Sequence, residues 1–131
     1  MNTSKAVIIV LFCCMISLQG CAAVVGAGAG AGAVAYVEGE YQENYAASFS
    51  RTWEASLAAL KDLNIAIYNT EKDETGGTIE ATKKDGTKVK INIKPTGSDT
   101  TLVKIRIGVF GDEDTSRMIG TQISKRLGKK G

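Results

Sequence analysis

Charge divides this chain into two unequal parts. Residues 6–37 contain no charged side chain, whereas every acid and every base except Lys5 lies after residue 37. A soluble domain keeps charged side chains on its surface, so a folded domain is confined to the charged part of the chain. We assign residues 36–131 to one small α+β domain, because that length supports a single modest hydrophobic core.

Residues 1–20 have the order of an export signal. Lys5 supplies a positive charge, residues 6–17 form an apolar stretch, and small or weakly polar residues follow. A spanning helix needs about 20 consecutive apolar residues, which this stretch does not reach. The pattern therefore predicts a signal peptide over residues 1–20 that is removed on export. The alternative is an uncleaved membrane protein that residues 6–37 anchor.

The signal ends in Leu18-Gln19-Gly20-Cys21. This motif resembles the lipobox of bacterial lipoproteins, which has a leucine three residues before the cysteine and a small residue directly before it. The resemblance implies cleavage before Cys21, a lipid on the Cys21 sulfur and acylation of the new amine, so that the acylated cysteine attaches the chain to a membrane. It also implies the outer membrane, facing the periplasm, because Ala22 stands where an aspartate retains lipoproteins in the inner membrane.

Removal of the signal changes the cysteine count and the charge. Cys13 and Cys14 leave with it, and a lipidated Cys21 leaves neither a free thiol nor a disulfide. The mature chain keeps 15 bases against 14 acids, because Lys5 is one of the 16 bases and the signal holds no acid. This near-neutral charge gives no electrostatic case for binding nucleic acid.

Residues 22–35, directly after the cysteine, form a Gly/Ala-rich run in which glycine and alanine alternate over residues 26–33. The glycines at positions 26, 28, 30 and 32 permit a flexible tether with a reach of roughly 20 Å, a membrane helix with small residues four apart, or a silk-like strand of period two. A tether is favoured, because the two glycine pairs fall on nearly opposite faces of a helix. Such a composition is also typical of linkers.

Two segments have helical periodicity. The first has apolar residues three and four apart, which we interpret as core residues: Phe49, Trp53, Leu57 and Leu60. Ser48 or Ser50 can cap its start. The second begins with three acids, carries apolar residues at a spacing of four and ends at a glycine: Asp112, Glu113, Asp114, Ile119, Ile123, Leu127 and Gly128. Its charges match the helix dipole at both ends.

Strand patterns fill the rest of the domain. Residues 36–45, 65–69 and 78–82 are predicted strands, and turns are predicted at residues 75–77, 85–86 and 95–99. Two further strands alternate apolar and polar residues, with these apolar positions: Val89, Ile91, Ile93, Val103, Ile105, Ile107 and Val109. The order β-α-β-β-β-β-α predicts an α+β fold in which both helices cover one face of an antiparallel sheet.

Four stretches carry a resemblance to a known family. They are the lipobox-like motif with the Gly/Ala run, the strand "YVEGEYQENY", the helix "SFSRTWEASLAALKDL" and the tail "IRIGVFGDEDTSRMI". On these stretches the chain resembles a family of short bacterial lipoproteins that is classed only as a domain of unknown function. The resemblance covers essentially the whole mature chain. It implies lipid anchoring and a small domain, and it supplies no activity.

The residues for common enzyme chemistry are missing. Histidine is absent, which removes the commonest general base and metal ligand. With Cys21 lipidated, a Cys-His pair, a Ser-His-Asp triad and a zinc site of thiolates or imidazoles are excluded. The acids at residues 112–114 lack the spaced oxygen ligands of a calcium loop and are interpreted as helix N-terminal charges. We therefore expect no enzyme activity, no cofactor and no metal.

Bases gather on one predicted face of the sheet. If the alternation holds, five of them point away from the core: Lys88, Lys90, Lys94, Lys104 and Arg106. Such a face could bind an anionic partner, such as lipid phosphates, a polysaccharide or an acidic envelope protein. The favoured alternative is an ordinary solvated sheet face, in which these bases pair with Glu80 and its neighbours.

The expected function is that of a non-enzymatic, lipid-anchored envelope protein that acts by contact with proteins or envelope polymers. The alternative is a small-ligand-binding lipoprotein, with a pocket of roughly 300 Å³ or more between the helices and the sheet or along the basic face. A helix-sheet interface filled by Trp53, Leu57, Ile91 and Ile105 would argue against this alternative.

Overall fold

Six antiparallel strands form one sheet, and two helices pack on it, in the computed structural model, which describes residues 34–128. In chain order the elements are β1 (Val34–Val37), β2 (Glu40–Tyr45), α1 (Phe49–Asp62), β3 (Ala66–Asp73), β4 (Gly76–Thr82), β5 (Lys88–Gly97), β6 (Thr100–Ile107) and α2 (Glu113–Gly128). The order across the sheet is β1-β2-β6-β5-β4-β3. The predicted α+β class with an antiparallel sheet is confirmed.

The segment predicted as one strand over residues 36–45 is instead a hairpin. Glu38 and Gly39 have φ angles of 51° and 80°, which reverse the chain between β1 and β2. Two consecutive left-handed residues match the type I′ turn that two-residue hairpins favour. The prediction was wrong because Glu-Gly is a much weaker turn signal than Asn-Gly or Asp-Gly. β1 is consequently one edge of the sheet.

The first helix forms where its apolar stripe predicted it. The Ser48 hydroxyl accepts a hydrogen bond from the backbone N–H of Arg51 at 3.4 Å, so Ser48 is the N-cap. Trp53 is 4% exposed, and its ring packs on Gly77 of β4, where an added Cβ would overlap the indole. Gly77 therefore permits the close approach of α1 to the sheet. After the helix, Asn64 turns the chain with a φ of 57°.

Strands β3 to β6 form an antiparallel meander, and some of their ends differ from the predicted ones. Asp85 and Gly86 make the β4–β5 turn as expected, whereas β5 runs through Pro95 to Gly97, with an irregular register there. The turn predicted over residues 95–99 is thus confined to residues 98–99. The alternation stops at Ile107: the chain turns at Gly108, and Val109 is 79% exposed, so its predicted core position is wrong.

The second helix has the predicted cap and stripe. Asp112 precedes it, and its carboxylate accepts hydrogen bonds from the Thr115 N–H at 3.0 Å and the Thr115 hydroxyl at 2.6 Å. Ile119 and Ile123 are fully buried, and Leu127 is partly buried against the same core. Neither α1 nor α2 has the length and apolar character needed to cross a membrane.

Both helices lie over one continuous core. α1 packs on β3, β5 and β6, and α2 packs on β2 and β6. Trp53, Ile91 and Ile105 are all buried at this interface, and Leu57 is partly buried beside them. The space between the helices and the sheet is therefore occupied by side chains, which argues against a ligand pocket in that position.

Candidate functional site

The five predicted bases do lie on one face of the sheet. Val89, Ile91 and Ile93 of β5 are buried toward the helices, so the alternating lysines of the same strand point to the opposite face. The same holds for β6, where Val103, Ile105 and Ile107 are buried. We call this helix-free surface the outer face. Its bases are Lys88, Lys90, Lys94, Lys104 and Arg106.

Acids are interleaved with these bases. The register places Glu80, Lys90, Arg106 and Glu40 side by side across β4, β5, β6 and β2. The Lys104 ammonium lies 3.8 Å from the Glu40 carboxylate. Opposite charges directly across neighbouring strands attract, so the outer face is a mixed surface of both signs.

Two of the bases have local partners that are not acids. The Arg106 guanidinium donates to the carbonyl oxygens of Glu38 at 3.3 Å and Val109 at 3.2 Å. The Lys88 ammonium lies 4.6 Å from the centre of the Tyr68 ring. Arg106 thus ties the β1–β2 turn to the loop after β6, which is a structural role.

The remaining outer-face lysines, Lys90 and Lys94, are exposed and form no ion pair with another residue between 34 and 128. Their neighbours across the strands include Glu80 and Leu102. These two ammonium groups are the part of the predicted basic surface that is open to an anionic partner.

A buried polar cluster lies on the other face of the sheet, beneath α2. Glu43 is 8% exposed, and its Oε2 accepts hydrogen bonds from the hydroxyls of Tyr41 and Tyr45, both at 2.6 Å. The Tyr45 hydroxyl is also 3.0 Å from the carbonyl oxygen of Gly120 in α2. This cluster therefore connects β2, next to the edge strand, to the middle of the second helix.

The tyrosines of the cluster stay neutral. Burial, followed by the hydrogen bond to Glu43, raises the pKa of Tyr45 far above its ordinary value, and the same two causes raise that of Tyr41. Both hydroxyls therefore donate to the carboxylate throughout the physiological range. Because each donor keeps its proton, the cluster is suited to holding β2 and α2 together rather than to moving protons.

Sequence reasoning missed this cluster, although a signal was present. In the segment "YQENY", Tyr41, Glu43 and Tyr45 alternate with Gln42 and Asn44, so they share one face of a strand. A glutamate in the buried phase of that alternation needs a partner. The partners are its own neighbours two residues away on either side.

Glycine permits the close approach of α2 to this cluster. A Cβ added to Gly120 would lie 2.5 Å from the Tyr41 hydroxyl oxygen and 2.7 Å from two ring carbons. Those distances are far below van der Waals contact, so only glycine fits there. The ring of Tyr41 therefore occupies the volume that a side chain at position 120 would need.

Asp112 caps the start of α2, in agreement with the interpretation of the acids there as helix N-terminal charges. Hydrogen bonds from Thr115 hold the pKa of Asp112 below its ordinary value, and Lys83 lies 3.9 Å away. The side chain of Glu113 accepts from Arg117 one turn later. In the described part of the chain, no three histidine, cysteine or acidic side chains cluster in a way that could hold a metal ion.

One apolar groove lies at the far edge of the sheet, between α1 and β3. Its volume is about 810 Å³. We call it the α1–β3 groove, and its lining residues are Glu54, Leu57, Ala58, Lys61, Asn64, Ile65, Ala66, Ile67 and Lys84. It is an open surface groove, separate from both the outer face and the buried cluster.

Comparison with known families places the chain in one of them. The sequence matches the family described as "Protein of unknown function (DUF3568)" over residues 5–126. The chain belongs to this family. The DUF3568 match contains Cys21, the Gly/Ala run, the buried cluster and the outer face, and the family description names no activity. No curated protein matches the chain.

Proposed function

We propose that this DUF3568 member is a non-enzymatic protein of the bacterial envelope, anchored by a lipid on Cys21 and acting through contact with another envelope component. The observation that carries the proposal is the Leu18–Gly20 tripeptide directly before Cys21, at the end of a signal-like segment and inside the family match. Cys21 and residues 22–33 lie outside the described residues, whereas Val34 and Ala35, which were assigned to the tether, belong to β1. The proposal extends to the outer membrane and a domain that faces the periplasm.

The chemistry of the described domain supports a binding role. The chain has no histidine. Its most buried carboxylate, Glu43, accepts hydrogen bonds from two tyrosine hydroxyls. A general acid or base must reach a substrate proton, and this carboxylate is closed off from solvent. The domain thus lacks the reactive groups that an enzyme of the common classes would need.

The outer face is the surface that we assign to the partner. Lys90 and Lys94 are exposed on it, and Lys104 is half-exposed. Ammonium groups on an otherwise polar sheet face attract phosphate or carboxylate groups. The proposed partner is therefore an anionic envelope component, either an acidic protein surface or an anionic lipid or polysaccharide.

Mass spectrometry of the mature N-terminus tests the anchor. We expect an acylated peptide that begins at Cys21 and recovery of the chain in the membrane fraction. Cys21→Ala should leave an unprocessed, unacylated chain, whereas Cys14→Ala, in the segment that is removed, should change nothing. An intact peptide from residues 1–20 in the wild type would instead support an uncleaved protein that residues 6–37 anchor.

Cross-linking in intact cells tests the outer face. The double variant Lys90→Glu/Lys94→Glu should lose the cross-linked product that the wild type gives, because both attractive charges become repulsive. Lys125→Glu, on the exposed surface of α2, is the matched control for a charge reversal elsewhere. Equal cross-linking by wild type and double variant would refute this surface without affecting the anchor.

A small-ligand role remains the second candidate, and one observation favours it. The α1–β3 groove, at about 810 Å³, falls within the range of ligand pockets. Its openness to solvent and its position on an edge strand favour a macromolecular occupant instead. Saturable binding of an apolar small molecule that Ile67→Asp abolishes would establish this second candidate.

A further inference from the structure

The loop between β6 and α2 presents two apolar side chains to solvent. Phe110 is 92% exposed and Val109 is 79% exposed. Gly108 and Gly111 flank them with φ angles of 66° and 83°, values that favour glycine, so the backbone turns sharply on both sides. An aromatic side chain at such a position is a typical binding anchor.

Contacts hold this loop in place. Arg106 donates to the carbonyl oxygen of Val109 at 3.2 Å. Gly111 packs so closely on the β1–β2 turn that an added Cβ would lie 2.5 Å from the Gly39 carbonyl oxygen. A side chain on a pre-ordered loop loses less conformational entropy on binding. Phe110 is therefore exposed by a fixed backbone and is ready to bind a complementary surface.

The α1–β3 groove offers an apolar surface with a basic rim. Leu57, Ile65 and Ile67 contribute apolar side chains, and Lys61 and Lys84 lie at its border. Lys61 and Lys84 are both exposed. Glu54 adds one acid to the lining. The groove therefore suits an apolar side chain that is accompanied by negative charge.

Phe110 does not fill the groove of its own molecule, since its side chain is 92% exposed. The loop packs on the β1–β2 turn at one edge of the sheet, whereas the groove borders β3 at the opposite edge. Five strand spacings separate β1 from β3, or about 24 Å at the usual distance between neighbouring strands. With the loop held in this position, a contact of Phe110 with the groove joins separate molecules.

We infer that Phe110 of one molecule binds in the α1–β3 groove of a second copy of this chain. Charge supports this occupant: Asp114 is exposed four residues after Phe110, and the groove has Lys61 and Lys84 at its border. The apolar anchor and the adjacent acid thus meet an apolar groove and adjacent bases. The inference is independent of the proposed anchor and of the outer face.

The edge strands agree with side-by-side association. Neighbouring strands of the sheet are all antiparallel, so β1 and β3 run in opposite directions. Neither has a second strand partner among residues 34–128. Copies placed with loop against groove bring β3 of one beside β1 of the next in antiparallel orientation. Because the two contact surfaces differ, the association is heterologous and can continue from copy to copy.

Disulfide cross-linking of the full chain in cells tests the inference. Phe110→Cys and Ile67→Cys are each made alone and together, and the parent chain reports background from the native cysteines. The double variant should form a ladder of dimers and longer species on non-reducing gels, and each single variant should stay at background. Co-expression of the two single variants should give dimers only, since each then has one cysteine at the contact.

Controls separate this contact from chance collision and from misfolding. Lys90→Cys, on the outer face, replaces Ile67→Cys as a matched partner and should give no ladder. Asp114→Lys should abolish the ladder and Lys61→Glu should restore it in that background, which a folding defect would not do. The inference would be overturned if the double variant were no more cross-linked than the Lys90→Cys control. It would also be overturned if Phe110→Cys formed a disulfide with its own copy in a second molecule or with another protein.

Discussion

Replacement of Gly120 by alanine should destabilise the protein, although alanine is the better helix former. Helix propensity alone favours alanine over glycine by about 1 kcal/mol. Against this, the new methyl carbon would lie 2.5 Å from the Tyr41 hydroxyl oxygen. Overpacking of this kind costs roughly 1–3 kcal/mol. Displacement of the ring also breaks the hydrogen bond from Tyr41 to Glu43, and bonds to charged groups contribute about 1.5–3 kcal/mol.

The net expectation for Gly120→Ala is a loss of about 2–4 kcal/mol in the free energy of unfolding. Urea unfolding measures it through the fluorescence of Trp53, the only tryptophan, which is 4% exposed in the folded state. Gly128→Ala is the matched control, because a Cβ there meets nothing within 4 Å. If Gly120→Ala were as stable as wild type or more stable, the close packing of α2 on Tyr41 would be refuted.

Tyr41→Phe should recover part of that loss when it is combined with Gly120→Ala. The phenylalanine lacks the hydroxyl oxygen that lies nearest the added methyl group. In a double-mutant cycle, residues in direct contact show a coupling free energy, whereas distant residues add independently. Strict additivity of the two substitutions would place the destabilisation elsewhere in the helix.

Three further predictions concern the buried polar groups. Glu43→Ala should lower the free energy of unfolding by about 2–4 kcal/mol, because two buried hydroxyls lose their acceptor. The control Glu40→Ala, which breaks one outer-face ion pair, should cost at most about 1 kcal/mol. Equal losses would contradict the conclusion that Glu43 is buried and Glu40 is not. Burial and the bond to Glu43 raise the pKa of Tyr41 and Tyr45. The two neutral tyrosines therefore contribute fully to the free energy of unfolding below the unfolded pKa of about 10, and this contribution is lost as pH rises above it. Urea midpoints measured from pH 8 to pH 11 at about one-unit steps should fall only in the alkaline part, and Tyr41→Phe/Tyr45→Phe should flatten that fall. Ser116 is buried, and its hydroxyl has no hydrogen-bond partner in the described part of the chain. Ser116→Ala should therefore leave the melting temperature unchanged or raise it. A clear drop in melting temperature would show that the hydroxyl does form a hydrogen bond.

The sequence predicted those parts of the fold that depend on local periodicity. The stripe of Trp53 and Leu60 in α1, and the alternation of Ile91 and Ile105 in the sheet, follow from the spacing of side chains along a helix or a strand. Burial confirms each of them. A hydrophobic pattern along one element is enough to state which face is covered, whatever element covers it.

Features that depend on contacts between distant segments were not predicted. The position of Val109 continued the strand alternation, but the Gly108 N–H bonds to the Lys88 carbonyl oxygen at 2.8 Å and the chain turns away there. The contact of the Tyr45 hydroxyl with the Gly120 carbonyl oxygen, at 3.0 Å, joins residues from opposite ends of the domain. Local spacing carries no information about such a pairing.

Prediction of the candidate surfaces from the sequence was limited in the same way. The shared face of Lys90 and Lys94 followed from strand alternation, whereas the position of Glu40 beside Arg106 required the pairing of β2 with β6. The α1–β3 groove required the packing of the first helix beside an edge strand. Charge on a face can thus be predicted from sequence, but its neutralisation by another strand cannot.

The place of β2 in the sheet has a kinetic consequence. Strands β3, β4 and β5 each pair with the next strand along the chain, whereas Tyr45 of β2 pairs with Thr101 of β6 across the whole of α1 and three intervening strands. Closing so long a loop costs chain entropy before the contacts that it brings can compensate, and such non-local pairings slow folding. We expect the attachment of the N-terminal hairpin to set the rate of folding, and its amide hydrogens to be the last in the sheet to gain protection from exchange.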